Sequence, residues 1–331
     1  MTKPVPYKLT KQLIVNKPIM TKQAIINIVY SPQKGPPQKT FENDKGQIWR
    51  SATYDKTKIN IGMGWYSIRN PQPSDSIWVV EPYCVLERDY DPKFVNKFKH
   101  IFTWASKAFP NELLKDKVVE IHHPTYHKFQ SVEALSKNWS NWNERSNEIV
   151  FMANNKSSKH HSELYSLRLQ LADMLHAKSN FKVSWYGEIP IKRPYFRGKA
   201  KSKQDILSRV KFSVCTENSY DPIYTHGYFS EKLPDVWKAG AVPIYMGCYN
   251  INDYKFPDHS YIDLRTYVKK VNKQFKINES ALLNRLNGFT EQRYNNFICD
   301  IKGQILKPNK LYSTSSFDSA YEKIINTIYS D

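Results

Sequence analysis

The residues best placed to do chemistry lie between positions 212 and 248. An apolar run ending at Thr216 is followed at once by Glu217 and Asn218. After a loop come Tyr228, Phe229, Ser230, Glu231 and Lys232 in succession. If the apolar run is a strand, Glu217 and Asn218 stand at its carboxyl tip, where open parallel sheets bind ligands. Ser230 has the side chain of a helix N-cap, with Glu231 in the first turn. Pro234 is tolerated early in a helix, and Gly240 can end one in a left-handed conformation. A lysine beside the free N–H groups of a helix start adds a full charge to the helix dipole, which suits a diphosphate. The plainer reading is a surface pair, Glu231 and Lys232, on a well-capped helix, and residue types alone leave both open.

These residues need a scaffold, and the apolar pattern supplies one. Short apolar runs at 24–30, 77–80, 101–104 and 118–121 read as strands, with a basic helical segment at 92–99. After a polar stretch rich in Ser and Asn, a strand at 147–153 opens a second unit. In 161–177, Leu164, Leu167, Leu171, Met174 and Leu175 fall on one face at helical spacing. Strands at 183–186, 212–216 and 241–246 then alternate with helices at 205–211 and 230–239, the rhythm of a parallel sheet with crossover helices. From residue 279 onward the chain reads as helical. The expectation is two α/β units with a boundary near 146 and a cleft between them.

Composition narrows the partners. The 331 residues are 40% hydrophobic, enough for two ordinary cores. A net charge of +18 favours anionic partners: nucleic acid, lipid headgroups or phosphorylated small molecules. Apart from 192–203 the cations are scattered, and no helix-turn-helix, zinc finger or aromatic RNA signature is present, so no specific nucleic acid is expected. The 22 Tyr and 8 Trp suit rings stacked on sugars or bases, and equally plain cores. Cys84, Cys215, Cys248 and Cys299 lack metal-ligand spacing and read as reduced thiols. Residues 1–20 hold no uninterrupted apolar segment, and no stretch is long enough to span a bilayer.

In order and spacing the 212–248 run resembles the nucleotide-sugar motif of glycosyltransferase family 10, the α-1,3-fucosyltransferases. That family shows Glu-Asn, then Tyr-Val-Thr-Glu-Lys, a helix, a small residue and Val-Pro-Ile-Tyr-Trp-Gly. Here stand Glu217 and Asn218, the five residues from Tyr228 to Lys232, Gly240, and Val242, Pro243, Ile244, Tyr245, Met246 and Gly247. The run FPDHSYIDL at 256–264 is similar to the family's Pro-x-x-Ser-Phe-Ile-Asp. The resemblance covers residues 147–267 and is loose elsewhere.

It implies an α/β chain of GT-B type with two facing Rossmann-like domains. These would be an acceptor-binding domain at 1–146, a nucleotide-sugar domain at 147–305 and a helical tail at 306–331. It further implies a hexosyltransferase that uses GDP-fucose, inverts the anomeric centre, and needs no cofactor and no metal. The acceptor would be a glycan or a lipid-linked saccharide. Carried over by position, Asn218, Tyr228, Glu231 and Lys232 contact the nucleotide and sugar. Arg168, the only arginine of the 161–177 helix, would join Lys232 in neutralising the leaving diphosphate; otherwise it is a solvated helix position. On this reading Lys232→Ala loses turnover with the fold intact. The family's base lies in a Glu-Ser-Pro segment after a strand of the first domain. Here Glu81 precedes Pro82 directly, so Glu81 is the candidate base and Glu87 the alternative.

The absence of the membrane helix of Golgi members makes the chain look like the bacterial or viral ones. A cytoplasmic location is expected, with anionic membrane as a peripheral partner. Met246 in place of Trp and a long 218–228 loop leave another nucleotide sugar open as the donor. A non-catalytic protein that binds polyanions or membrane surfaces is the reading from a different class. Three further features carry less. Asp89, Tyr90 and Asp91 match a short metal-binding pattern that chance readily produces. His122, His123 and His127 read as an exposed or acceptor-facing loop, and the basic 192–203 stretch as a solvated one.

Overall fold

The computed structural model describes residues 25–29, 40–42, 47–64, 66–110, 112–123, 135–137, 139–272, 274–305 and 314–330. The expectations for residues 1–20 and for His127 lie outside them. The chain divides into two compact units. The first comprises Met1–Glu81, Leu86–Ile121 and Tyr321–Asp331; the second comprises Pro82–Val85 and His122–Ala320. The second sheet starts at Ser146, beside the boundary drawn near 146, whereas the unit itself starts earlier, after Ile121.

The first unit is built on strands β1 (Ile26–Val29), β2 (Thr40–Glu42), β3 (Ile48–Ala52), β4 (Ile59–Met63), β5 (Ser76–Trp78), β6 (Ile101–Thr103) and β7 (Val118–Glu120). They stand in the order β2-β3-β1-β4-β5-β6-β7, and every pair is parallel except β2 with β3. Ile77, Trp78 and Val79 are fully buried, as the apolar run requires when both faces of a parallel sheet are covered. The basic segment forms only one turn, α1 (Pro92–Val95), with Asp91 capping it.

The second unit carries β8 (Ser146–Met152), helix α2 (Tyr165–Lys178), β9 (Lys182–Tyr186), β10 (Phe196–Gly198), α3 (Lys203–Leu207), β11 (Val210–Val214), α4 (Lys232–Lys238), β12 (Val242–Tyr245) and β13 (Ile262–Asp263). Its sheet runs β10-β9-β8-β11-β12-β13, wholly parallel. The chain lays down β8, β9 and β10 in one direction, then returns to lay β11, β12 and β13 in the other. The reversal lies between β8 and β11, and a crevice at the carboxyl ends of such strands is the usual ligand position in open α/β sheets.

Helix α2 begins at Tyr165 rather than near 161. The residues before it pair with the loop after β11: Leu164 N–H donates to the Asn218 carbonyl at 3.0 Å, and Tyr220 N–H to the Ser162 carbonyl at 2.9 Å. Leu167, Leu171 and Leu175 are fully buried against the sheet. Arg145 is buried and ties the sheet's amino end together, donating to the carbonyls of Ser140, Val210 and Ala239 and to the Tyr294 hydroxyl. An antiparallel hairpin, β14 (Val268–Val271) and β15 (Gln274–Ile277), leads into α5 (Glu279–Asn287), α6 (Glu291–Asp300) and α7 (Thr314–Tyr329). The end of α7 belongs to the first unit, where Tyr321 stands edge-on to Trp78 at 5.0 Å. Among the described residues no helix is long and apolar enough to cross a membrane. All four cysteines are free thiols.

Gly240 ends α4 at φ +67°, the left-handed conformation its sequence position suggests. Burial pushes the Lys238 ammonium, in the last turn of that helix, down to about 8, with Asp235 opposing. Between pH 8 and the ordinary lysine value of 10.5 the unfolded chain therefore binds more protons than the folded one. The Lys238 contribution to stability rises with pH across that window. Lys238→Met is expected to be the more stable protein at neutral pH, its advantage shrinking towards the top of the window. Urea unfolding of both proteins across the window measures this, and a constant difference would refute it.

Candidate functional site

The site is best built from Glu217, which is completely buried where the chain leaves β11. Its carboxylate accepts from the Ser230 N–H at 3.0 Å, from the Ser230 hydroxyl at 2.8 and 2.6 Å, and from Lys232 Nζ at 2.9 Å. Gly247 makes room for it, because a Cβ there would lie 2.1 Å from Glu217 Cγ. The anion at the start of α4 is thus the protein's own carboxylate. The helix starts two residues after Ser230, with Glu231 at the N-cap position; Ser230 Oγ accepts from the Lys232 N–H at 3.3 Å while its hydroxyl donates to Glu217. At seven residues α4 is also too short for its dipole to dominate the site.

Lys232 is correspondingly constrained. Burial works against its charge, but the Glu217 carboxylate, with Glu231 behind it, outweighs that and raises the ammonium above the usual lysine value. The stabilisation from this pairing is complete below the ordinary lysine pKa and is lost as pH rises through the raised one. An ammonium has three hydrogens. One goes to Glu217 and one to Ser230 Oγ at 3.1 Å; the third is not taken up among the described residues.

Arg168 is not a solvated helix position, being only 3% exposed. Its Nε donates to Thr216 Oγ1 at 2.8 Å, and its Nη2 to the carbonyls of Thr216 and Glu217 and to Asn218 Oδ1. Nη1 makes no hydrogen bond among the described residues. Burial disfavours the guanidinium charge, and Tyr165, Glu217 and Tyr228 oppose that effect. An arginine keeps its proton even so. Arg168 and Lys232 are close enough to repel one another, and Glu217 offsets that repulsion.

The remaining sequence candidates in this unit gather around the same strand tip. Asn218 is nearly buried and is oriented by Arg168, while its carbonyl also accepts from Cys84 Sγ at 3.4 Å. Tyr228 is buried beside the His123 ring. Glu231 is exposed; desolvation by the dense structure beneath it raises its carboxyl, but Lys232, Lys203 and His123 hold it below the usual carboxylate range. The long loop after Asn218 is packed through Asp221, whose carboxylate accepts from the N–H groups of Ile223 and Tyr224 and meets His161 Nε2 at 3.2 Å.

Beside this cluster an open cavity of about 240 Å³ lies at the ends of β8 and β9, bordered by Asn154, Tyr186, Gly187, Glu188, Lys199 and Lys203. Three of the six cations in the 192–203 stretch are paired within the unit: Arg193 with Asp173, Lys199 with Glu188 and Lys203 with Asp235. Tyr195 is buried and donates to Asp173.

In the first unit, Glu81 is half-buried just after β5 and its backbone carbonyl accepts from the Tyr90 hydroxyl at 2.9 Å. Glu87 is exposed at the start of a single 3-10 turn, Glu87–Tyr90. Asp89 is buried whereas Asp91 caps α1, so the two point to different tasks. Among the described residues no three His, Cys, Asp or Glu side chains gather as a metal site.

Residues 142–281 match the family model "Glycosyltransferase family 10 (fucosyltransferase) C-term". The fold is similar to the crystal structure of an α1,3-fucosyltransferase with GDP, at 14% identity, a TM-score of 0.54 and coverage of 96% of this chain and 94% of that one. The same enzyme class with GDP-fucose gives 15% identity, a TM-score of 0.54, and 96% and 94% coverage. S. aureus TarM, solved with fondaparinux, alpha-GlcNAc-glycerol and UDP, is similar at 15% identity and a TM-score of 0.50, over 82% of this chain and 55% of that one. Comparison with curated proteins gives no match.

Proposed function

We propose that the chain is a GT-B glycosyltransferase of family 10, whose C-terminal model residues 142–281 match, and that it transfers fucose from GDP-fucose to a hydroxyl of a glycan or lipid-linked saccharide, with inversion and without a metal. The observation that carries the reading is the pair of cations at the sheet's reversal point. Arg168 and Lys232 are both fixed by buried partners, and each keeps one hydrogen-bonding position for an incoming anion.

In this mechanism the diphosphate lies against Arg168 Nη1 and the third hydrogen of Lys232. Charge that develops on the departing GDP meets donors already in place, so no reorganisation is needed at the moment of reaction. Asn218, Tyr228 and Glu231 orient the ribose and the sugar. Glu81 removes the acceptor hydroxyl's proton as that oxygen attacks the anomeric carbon from the face opposite the diphosphate. The β-linked fucose of the donor becomes α-linked in the product. The residues do this without a resident cofactor. A cytoplasmic location, with the net charge of +18 holding the protein at an anionic membrane, fits a lipid-linked acceptor.

The test is turnover of a panel of nucleotide sugars with a chelator present. GDP-fucose is expected to be hydrolysed or transferred in preference to the other donors, at a rate the chelator does not alter. Preference for another nucleotide sugar would keep the enzyme class and replace the substrate. Loss of turnover on chelation would overturn the metal-free mechanism.

A further inference from the structure

His123 belongs to a histidine-rich segment that the mechanism above does not use, yet it reaches into the motif that the mechanism depends on. Its Nδ1 lies 3.1 Å from the Phe229 carbonyl oxygen, across 106 residues of sequence. A carbonyl can only accept, so Nδ1 carries the proton and donates. The same ring stands edge-on to Tyr228, with centroids 4.8 Å apart and planes at 82°, the favourable edge-to-face geometry for two rings. It is also close enough to Glu231 to lower that carboxyl's pKa. One imidazole therefore touches or polarises residues 228, 229 and 231, the stretch between Gly227, which sits at φ +83°, and the start of α4.

The Tyr228 N–H donates to the Thr225 carbonyl at 3.2 Å, and the buried Phe229 ring packs among Trp237, Tyr245, Tyr254 and Phe256. Gly227 N–H is fixed by Asn250 Oδ1 at 2.7 Å and Ser230 by Glu217, and these anchors flank Tyr228 and Phe229. Of the backbone carbonyls between these anchors, His123 takes that of Phe229.

We propose that His123 is a positioning residue for the nucleotide sugar: it holds the Phe229 carbonyl and the Tyr228 ring so that Tyr228 and Glu231 face the ligand in one fixed arrangement. This rests on the reading of Tyr228 and Glu231 as contacts to the nucleotide sugar. The role needs the Nδ1 hydrogen bond, which separates it from simple filling of space.

Two variants split the ring from its hydrogen bond. In His123→Asn the side-chain amide reaches the Nδ1 position and can still donate to Phe229, but the ring is lost. His123→Phe keeps a ring against Tyr228 and cannot donate. GDP-fucose KM and kcat are measured for both and for the wild type, with thermal melting as a folding control. The expected result is a KM raised by about tenfold or more in His123→Phe, equivalent to about 1.4 kcal/mol, with kcat at saturation little changed and KM in His123→Asn near the wild-type value. Equal KM in the two variants, whether both normal or both raised, overturns the proposal. If the wild type binds no GDP-fucose, the reading of the donor site fails first and the proposal falls with it, a result visible before either variant is compared.

Discussion

Lys232→Ala is expected to lower transfer by about 10²–10³-fold, the usual effect of removing one preorganised group from charge that builds up in a transition state. The variant is also expected to lose stability, a cost that the sequence alone does not reveal. Lys232 is the counter-ion of a carboxylate with no exposure of its own, and its side chain is only 17% exposed. Removing one member of such a pair leaves an uncompensated buried charge, which costs about 3–5 kcal/mol. Loss of activity in the single variant would therefore mix two causes. The double variant Glu217→Gln with Lys232→Met separates them, because it removes both charges at similar volume. Urea unfolding should show the double variant recovering most of the lost stability while transfer stays at the level of Lys232→Ala. Transfer restored in the double variant would show that Lys232 acts only through folding and would sink its role at the diphosphate.

Glu81→Gln is expected to reduce kcat by about 10²–10⁴-fold, the range for loss of a general base, with GDP-fucose affinity and thermal midpoint unchanged. The substitution keeps the Glu81 backbone carbonyl, which accepts from the Tyr90 hydroxyl, and thermal melting checks the fold. Glu87→Gln is the matched control, since Glu87 is exposed at a helix start. Full activity in Glu81→Gln together with a large loss in Glu87→Gln would move the base to Glu87.

The two α/β units and eight of the fifteen described strands were legible, because parallel strands covered on both faces leave uninterrupted apolar runs such as Ile149, Val150 and Phe151; β2, β3, β4, β10, β13, β14 and β15 were not. What escaped the sequence were the interactions that join distant residues. Ser230 Oγ does accept from the first N–H of the helix, but its hydrogen goes to Glu217, thirteen residues earlier. Glu217 was visible as a neighbour of Asn218, but its burial depends on the missing Cβ of Gly247. The short N-terminal shift of α2 has the same origin: Leu164 finds a backbone partner in Asn218 instead of in its own helix. Arg168 stood out as the only arginine of its helix, yet its hydrogen bonds among the described residues run to residues 216, 217 and 218 across the sheet edge. Family resemblance could mark which residues matter there, while the buried carboxylate that holds the two cations together is a property of packing.

The bracket formed by Glu217 and Ser230 around Lys232 also bears on how tightly a ligand can be held. A free lysine arm samples many rotamers, and freezing it costs about 1.5–2 kcal/mol. In this protein that loss is incurred during folding, before any ligand arrives, because the ammonium is already fixed by two hydrogen bonds. Association with an anionic ligand is then spared an entropic penalty worth about ten- to thirtyfold in affinity, and the lysine meets each new ligand in the same pose in which the last one left it.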